Sequence, residues 1–230
     1  MTTTCTRRIS ALAATTAILM FAQAAGAADL LPAVEPTPAA EDIGAVSPWQ
    51  IRVRGLGVIT NDEGSVDGVA GSDLSYSDSV IPELDITYYF TENFAAELIL
   101  GTTWAAIDGE GSLAGLGRIG STWVLPPTLT LQYHFTDFGA FKPYVGAGVN
   151  YTIFYNQDAD AATDLHVKDS FGFALQAGFD YMINEHWGVN FDVKKIFLRP
   201  DFDVTVGGAD LTGNAKLDPW LIGGGVTYRF

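Results

Sequence analysis

The sequence predicts an all-β protein, and more narrowly an eight-stranded antiparallel up-and-down transmembrane β-barrel. Three observations lead to this fold class. Eight segments alternate apolar and polar residues with the period of a β-strand, short connections alternate with long ones, and aromatic residues stand at both ends of the apolar faces. Short turns on one side, long loops on the other and two aromatic girdles are characteristic of bacterial outer-membrane barrels.

The first 27 residues are predicted to be a secretory signal peptide. Arg7 and Arg8 precede an apolar run from Ile9 to Phe21, and the small residues 25–27 offer a cleavage site before Ala28. The run is well short of the ~20 residues that a spanning helix needs. Residues 28–48, which contain four prolines, are predicted to form a periplasmic leader, and residues 49–230 the barrel.

Charge and cysteine content exclude several function classes. Of 12 Lys and Arg residues, two lie in the predicted signal peptide, so 10 remain against 27 Asp and Glu, a net charge of −17. Such an acidic chain is a poor partner for nucleic acid. Cys5 lies in the predicted signal peptide, so the exported chain has no thiol chemistry, and we expect neither a cofactor nor a metal site. Mean hydropathy is nevertheless positive, +0.18, as apolar strand faces require.

Each predicted strand has one apolar and one polar face. The segments are 49–59, 81–90, 94–104, 123–135, 141–155, 170–181, 187–196 and 218–230. In the fourth, for example, Leu129 and Leu131 oppose Thr128 and Thr130. Short connections are predicted at 91–93, 136–140 and 182–186, and long polar loops at about 61–80, 105–122, 156–169 and 197–217. An even number of strands returns the chain to the periplasmic side from which it started.

A soluble β-sandwich or lipocalin-like barrel also has strands in which apolar and polar residues alternate. Aromatic residues at the strand ends distinguish a membrane barrel from these soluble folds. The inner set is Trp49, Phe90, Phe94, Phe135, Phe141, Tyr181, Trp187 and Phe230, and the outer set is Trp104, Trp123, Tyr155, Phe171 and Trp220. Two aromatic belts around an apolar band favour the membrane barrel. Tyr228 and the final Phe230 resemble the assembly signal that the outer-membrane assembly machinery reads, so we expect that machinery to be a partner.

Several segments resemble proteins of the OmpW family. They are Trp123-Val-Leu-Pro-Pro-Thr-Leu-Thr-Leu-Gln-Tyr-His-Phe135, Lys142-Pro-Tyr-Val-Gly-Ala-Gly-Val-Asn-Tyr151, residues 184–194, residues 218–223 and Phe230. The resemblance covers the chain from Trp49 onward and omits the leader. It implies an outer-membrane barrel with a narrow lumen, through which small hydrophobic molecules pass. Some family members also serve as receptors for bacteriocins, a role that cannot be transferred to these loops.

Alternate side chains of a strand point to opposite faces, and we call the face on which a residue falls its strand parity. Strand parity predicts which side chains fill the lumen. A charged plug is predicted in the inner half, from Arg52, Arg54, Asp85, Glu97, Lys142, Asp192, Lys194 and Arg229. A hydrophobic lumen is predicted in the outer half, from Leu56, Val58, Ile81, Ile99, Val124, Phe154, Ile196 and Leu221. Eight strands enclose room only for side chains or a small ligand, so we do not expect an open water pore. These apolar residues either bind a ligand or merely pack the upper barrel.

A lateral opening is predicted at Pro126 and Pro127, because proline cannot donate to a strand ladder and is normally confined to edges, strand starts or bulges. An apolar solute cannot readily cross a charged floor, so release sideways into the membrane is the easier route. A kink without any role in transport is the alternative.

Two other function classes compete with transport. An enzyme is not expected, because His134, His166 and His186 fall on separate segments and no serine or carboxylate is placed by sequence to form a triad with them. Asp164 and His166 could bind a metal but are more often solvated surface residues. A structural, adhesive or receptor barrel with an inert lumen stays open. The expected partners are outer-membrane lipids, lipopolysaccharide and small hydrophobic solutes.

Overall fold

The structure, a computed structural model, describes residues 47–61 and 63–230. The predicted signal peptide and almost all of the predicted leader lie outside the described residues. Within them, no helix is long and apolar enough to cross a membrane. Apart from a single turn of 3₁₀ helix at Ala114–Leu116, the regular structure consists of β-strands.

The described residues form fifteen strands. Their bounds are β1 Trp49–Ile59, β2 Glu63–Val66, β3 Ser72–Tyr76, β4 Ser79–Tyr89, β5 Phe94–Gly101, β6 Thr103–Gly111, β7 Arg118–Leu125, β8 Thr128–His134, β9 Phe141–Ala159, β10 Asp164–Val167, β11 Ser170–Met182, β12 Trp187–Phe197, β13 Asp201–Val206, β14 Ala209–Lys216 and β15 Trp220–Arg229.

Eight antiparallel strands close into a barrel, which confirms the predicted fold class. The order around the barrel is β1–β4–β5–β8–β9–β11–β12–β15, and β15 pairs back onto β1. Arg52 on β1, for instance, stands opposite Asp85 on β4 and Thr227 on β15. We call the end with the short turns, at 90–93, 135–140 and 183–186, the inner end, and the opposite end the outer end.

Side chains alternate between the lumen and the outside of the barrel. On β8, Thr130 is 1% exposed, whereas its neighbour Leu129 is 52% exposed. The outward set is rich in Leu, Val, Phe and Trp, while the buried set of the inner half is polar or charged. A continuous apolar outside with a polar inside reverses the arrangement of a soluble protein, and it is stable where lipid covers the outside.

The four long outer connections are not simply polar loops, and this part of the sequence prediction is wrong. They contain β2, β3, β10, β13 and β14 as well as the outer ends of β6, β7 and β9. One set, β3–β6–β7–β9, continues the barrel outward, and another, β10–β13–β14–β2, forms a four-stranded sheet. Their alternating segments are short and carry many Asp and Gly residues, which hid the strand pattern in the sequence.

Side chains bridge the two places where neighbouring outer strands do not share a backbone ladder. Between β9 and β10, the Gln157 side chain donates to the Val167 carbonyl at 3.0 Å and accepts from the Val167 N–H at 2.5 Å. Between β2 and β3, Asp73 accepts from the Gly64 N–H at 3.0 Å. The outer strands therefore form an extension of the barrel wall.

The burial pattern predicts that charge is tolerated poorly on the outward face of β8. We expect Leu129→Arg to destabilise the barrel in lipid by about 2–4 kcal/mol, the cost of an arginine near the bilayer midplane. Leu129→Ala, which adds no charge, and Ala209→Arg, which adds the same charge at an exposed end of the outer extension, are the controls. Urea unfolding in liposomes measures the difference. Equal destabilisation by the two arginine variants would mean that Leu129 does not face lipid.

Candidate functional site

An apolar cavity of about 300 Å³ occupies the outer half of the lumen and continues into the outer extension. The structure brings all eight residues of the predicted hydrophobic lumen to its wall. They are Leu56, Val58, Ile81, Ile99, Val124, Phe154, Ile196 and Leu221. Seven of them are inward residues of barrel strands above the charged residues, and Val124 lies on β7 of the outer extension.

The outer extension supplies as much of the cavity wall as the barrel does, and sequence reasoning missed these residues. They are Val66, Leu74, Tyr76, Ile107, Ile119, Leu165, Val167, Phe202, Val204, Leu211 and Leu217. The signal was present as short alternations, such as Phe202-Asp-Val204 in β13 and Leu165-His-Val167 in β10. Segments of four to six residues contain only two or three alternations, and these lay within connections that were read as polar loops.

The hydroxyl groups that line the cavity are bonded within the protein. The bonds are Ser79 with Thr103 at 2.8 Å, Thr60 to the Tyr76 carbonyl at 3.2 Å, Thr122 to the Trp123 carbonyl at 3.2 Å, Thr128 to the Pro126 carbonyl at 3.0 Å and Thr152 to Asn150 Oδ1 at 2.7 Å. Because these donors are already used, the wall favours a ligand that needs no hydrogen bonds.

The floor of the cavity is the upper layer of an ion-pair network. Lys194 Nζ lies 3.1 Å from Glu83 and 2.8 Å from Asp192. Arg54 NH2 lies 2.7 Å from both Glu83 and Asp85, and its NH1 lies 3.6 Å from Asp192. All five side chains are buried, and Glu83 and Lys194 border the cavity itself.

A second layer lies below the first and centres on Arg52. Its guanidinium pairs with Glu97, pairs with Asp180 at 2.6 Å, and donates to Thr87 at 3.0 Å. Gln176 joins the layers, because its amide nitrogen donates to Glu97 and to Asp192, both at 2.8 Å. The two layers are thus one connected network, called the plug below.

The structure places six of the eight predicted plug residues in this network and two outside it. Arg52, Arg54, Asp85, Glu97, Asp192 and Lys194 belong to it. Lys142 instead donates to the Thr136 carbonyl at 3.0 Å at an inner turn, and the Arg229 guanidinium lies 4.2 Å from the Tyr89 ring centroid, without an ion pair among the described residues. Strand parity predicts which side of the barrel wall a side chain faces, but it does not predict the position of that side chain along the barrel axis.

Glu83 and Asp180 are plug residues that the predicted set omitted. Each lies an even number of residues from a residue that faces the lumen: Glu83 from Asp85 on β4, and Asp180 from Gln176 on β11. The strand alternation could therefore have identified both. With them, five carboxylates surround three cations. An apolar solute passing straight down would have to separate these buried ion pairs, which costs several kcal/mol for each.

The backbone pairing of the barrel wall is interrupted at the cavity, on one side of Pro126 and Pro127, and this interruption is called the wall gap below. The pairing of β5 with β8 stops at Ile99 and Thr128, and it resumes between β6 and β7 at Thr103 and Val124. Gly101 and Pro126 border this interval and also line the cavity. Both lack a large side chain that could fill the interval.

The other side of the proline pair is bridged. Asn150 Nδ2 donates to the Pro126 carbonyl at 3.1 Å, and the Tyr151 N–H donates to the Pro127 carbonyl at 3.1 Å. On the gap side, the Thr102 hydroxyl donates to the Val124 carbonyl at 3.2 Å and lies 2.8 Å from the Tyr155 hydroxyl. The interruption therefore weakens the wall towards β5 and leaves it intact towards β9.

The three histidines lie in separate parts of the described chain. His134 is buried below the plug between the rings of Tyr89 and Tyr144, His166 is on β10, and His186 Nδ1 lies 2.8 Å from the Arg229 carbonyl. Within residues 47–61 and 63–230, no three His, Cys, Asp or Glu side chains are grouped so as to hold a metal ion.

The chain matches the OmpW family model over residues 39–230. It is 64% identical over 217 residues to the outer-membrane protein y4mB of Sinorhizobium fredii, covering 91% of this chain and 92% of that one. It is 29% identical to the dibenzothiophene metabolism operon protein PahQ of Pseudomonas aeruginosa, covering 76% and 85%. The crystal structure of OprG from Pseudomonas aeruginosa superposes with a TM-score of 0.73 at 28% identity, covering 81% of this chain and 98% of that one.

The plug geometry predicts a large penalty for removing one buried charge. Arg52→Met leaves Glu97 and Asp180 without their cation, and we expect a loss of about 3–5 kcal/mol in unfolding free energy. Lys168→Met, which removes an exposed partner of Asp203, should cost at most about 1 kcal/mol. Adding Asp180→Asn to Arg52→Met should recover part of the loss. Denaturant titrations of all three variants would contradict the plug if Arg52→Met and Lys168→Met behaved alike.

Proposed function

Since the chain belongs to the OmpW family and is an outer-membrane β-barrel, we propose that it forms a narrow channel for uptake of small hydrophobic molecules. The observation that carries the proposal is the apolar cavity of about 300 Å³ above a floor of buried ion pairs. A cavity of this kind holds a ligand by burying its apolar surface.

The size and lining of the cavity favour compact hydrocarbons. A dry apolar cavity of roughly 150 Å³ binds benzene, so about twice that volume suits a fused-ring aromatic or a branched hydrocarbon of similar bulk. The bonded hydroxyls offer little to a polar ligand. The relative PahQ carries the name of a dibenzothiophene metabolism operon, and dibenzothiophene is a flat apolar molecule, which supports this substrate class.

The proposed route enters from the outer end and leaves through the wall. The solute reaches the cavity through the outer extension and rests above Lys194 and Glu83. From there it exits between Gly101 and Pro126 into the hydrocarbon of the membrane, which avoids separating the plug ion pairs. The gap and the charged floor support lateral release together.

We infer binding and transport rather than catalysis, because the cavity wall is apolar and His134 lies below the plug. Lipopolysaccharide, other outer-membrane lipids and the outer-membrane assembly machinery complete the proposed set of partners. The outward apolar surface supports the lipids, and Tyr228 and Phe230 at the end of the closing strand support the machinery. A structural, adhesive or receptor barrel with an inert lumen is the alternative that the next experiment tests.

Filling the cavity should slow uptake. Val58→Trp places an indole in the cavity, and we expect cells that produce this variant to take up the apolar fluorophore N-phenyl-1-naphthylamine severalfold more slowly. Ile59→Trp adds the same side chain one residue along β1 on the lipid-facing side and should leave uptake unchanged. Gel shift of the folded barrel verifies assembly of both. Normal uptake by an assembled Val58→Trp variant would favour the inert lumen.

Closing the wall gap should slow uptake, whether the change adds bulk on the cavity side, as at Gly101, or only restores backbone donors, as at the two prolines. At Gly101 a Cβ meets Ile81 Cδ1 and the Pro82 carbonyl at 3.5 Å, an ordinary contact, so Gly101→Leu should fold and cover the gap. Replacing Pro126 and Pro127 with Thr restores two N–H donors and should act in the same direction. The floor variant Arg54→Ala with Asp85→Ala should instead reduce stability and raise ion leakage. If the floor variant blocks uptake while both wall variants transport normally, the solute passes straight down the barrel.

A further inference from the structure

The exposed cations of the outer half differ in how accessible their carboxylate partners are. Three pairs expose both members: Arg118 and Asp108 at 51% and 42%, Lys168 and Asp203 at 49% and 43%, and Lys216 and Glu63 at 37% and 53%. The fourth does not, because Arg199 is 60% exposed while Asp218 is only 8% exposed. An anion that approaches any of the first three meets the paired carboxylate as well, whereas the carboxylate that pairs with Arg199 is buried.

Asp218 is hidden because it holds the junction between β12 and β15. Its Oδ1 accepts from the Leu198 N–H at 2.9 Å, and its Oδ2 lies 3.2 Å from Arg199 NH2. The Leu217 N–H donates to the Leu198 carbonyl at 3.1 Å beside it. The carboxylate is therefore committed to the wall and does not turn outward to repel an anion.

A second cation converges on the same residue. Lys195 faces outward, between the lumen-facing Lys194 and Ile196, and its Nζ donates to the Asp218 main-chain carbonyl. The ammonium also lies 4.9 Å from the centroid of the Trp220 ring. Arg199 thus binds the Asp218 carboxylate and Lys195 binds the main-chain carbonyl of the same residue, so these three side chains together carry a charge of +1 in a chain whose net charge is −15.

The position of this pair matches the head-group level of the outer leaflet. Trp220 belongs to the outer aromatic set and stands opposite Lys195, and Phe197, two residues further along β12, is exposed as well. Indole rings mark the membrane interface, and a lysine near it extends its head towards the phosphates. Arg199 lies beyond Phe197 along the chain. The cations therefore stand above apolar aromatic surface, an arrangement that complements a phosphorylated lipid.

We propose that Lys195 and Arg199 form a binding site for a phosphate of lipid A, the membrane anchor of lipopolysaccharide. The guanidinium and ammonium donate charge-assisted hydrogen bonds to the phosphate oxygens, while Trp220 and Phe197 contact the acyl chains. This inference locates the lipid partner within the proposed function, and it does not depend on solute uptake.

The test measures the thermal unfolding midpoint of the full barrel in phosphatidylcholine liposomes with and without bisphosphorylated lipid A. We expect lipid A to raise the midpoint of the unmodified chain, and Lys195→Gln with Arg199→Gln to lose most of that rise. The control, Arg118→Gln with Lys168→Gln, removes the same charge elsewhere in the outer half and should keep the rise. Should the first double variant not fold, Arg199→Gln alone serves, since that side chain is mostly exposed.

Three results would overturn the site. Equal loss in the two double variants would indicate unspecific attraction. Equal protection by dephosphorylated lipid A would show that phosphate is not recognised, and an equal rise with inorganic phosphate alone would indicate a simple anion site. Uptake of N-phenyl-1-naphthylamine by the Lys195 and Arg199 variant should be normal, so failure of the lipid site and failure of the transport proposal give different results.

Discussion

The buried ion pairs of the inner lumen are the constraint around which the rest of the barrel is arranged. Eight strands enclose too little space for bulk water, so the charges that face inward must satisfy one another. Arg52 on β1 reaches Asp180 on β11, and Lys194 on β12 reaches Glu83 on β4. These pairs cross the lumen and close its inner half, which leaves the outer half as the space that a solute can occupy.

The change from charged to apolar lumen occurs at one level on several strands. On β1 the inward residue after Arg54 is Leu56, on β12 Ile196 follows Lys194, and on β4 Ile81 precedes Glu83. The cavity floor is therefore formed by inward-facing residues of the barrel strands themselves and not by a separate loop or helix. The proline pair adjoins the cavity just above this level, so the interrupted part of the wall lies next to the charged floor.

Strand parity was enough to predict the barrel and the lumen side of each strand, because one step of two residues fixes which face a side chain occupies. The family was predicted separately, from the resemblance of segments such as residues 123–135. Strand parity could not give the position along the barrel axis, and so Arg229 and Lys142 were assigned to a plug that they do not join. Pairing between distant connections was also beyond prediction. The ladder between Gly213 on β14 and Val66 on β2 joins segments far apart in sequence, and neither segment alternates large apolar with polar residues.

The barrel is closed by pairing its first strand with its last. Until β15 is available, β1 keeps one row of backbone donors and acceptors unpaired, and Arg52 has no Asp180 until β11 arrives. Arg52 and Arg54 can pair with Glu97, Glu83 and Asp85 in the N-terminal half, but their further partners Asp180 and Asp192 are synthesised later. A half-barrel would expose unpaired backbone groups to lipid at both of its edges, so we expect the chain to stay unfolded until its final strands are present. Assembly is then expected to proceed as one cooperative event, slow in the way that long-range strand pairing is slow.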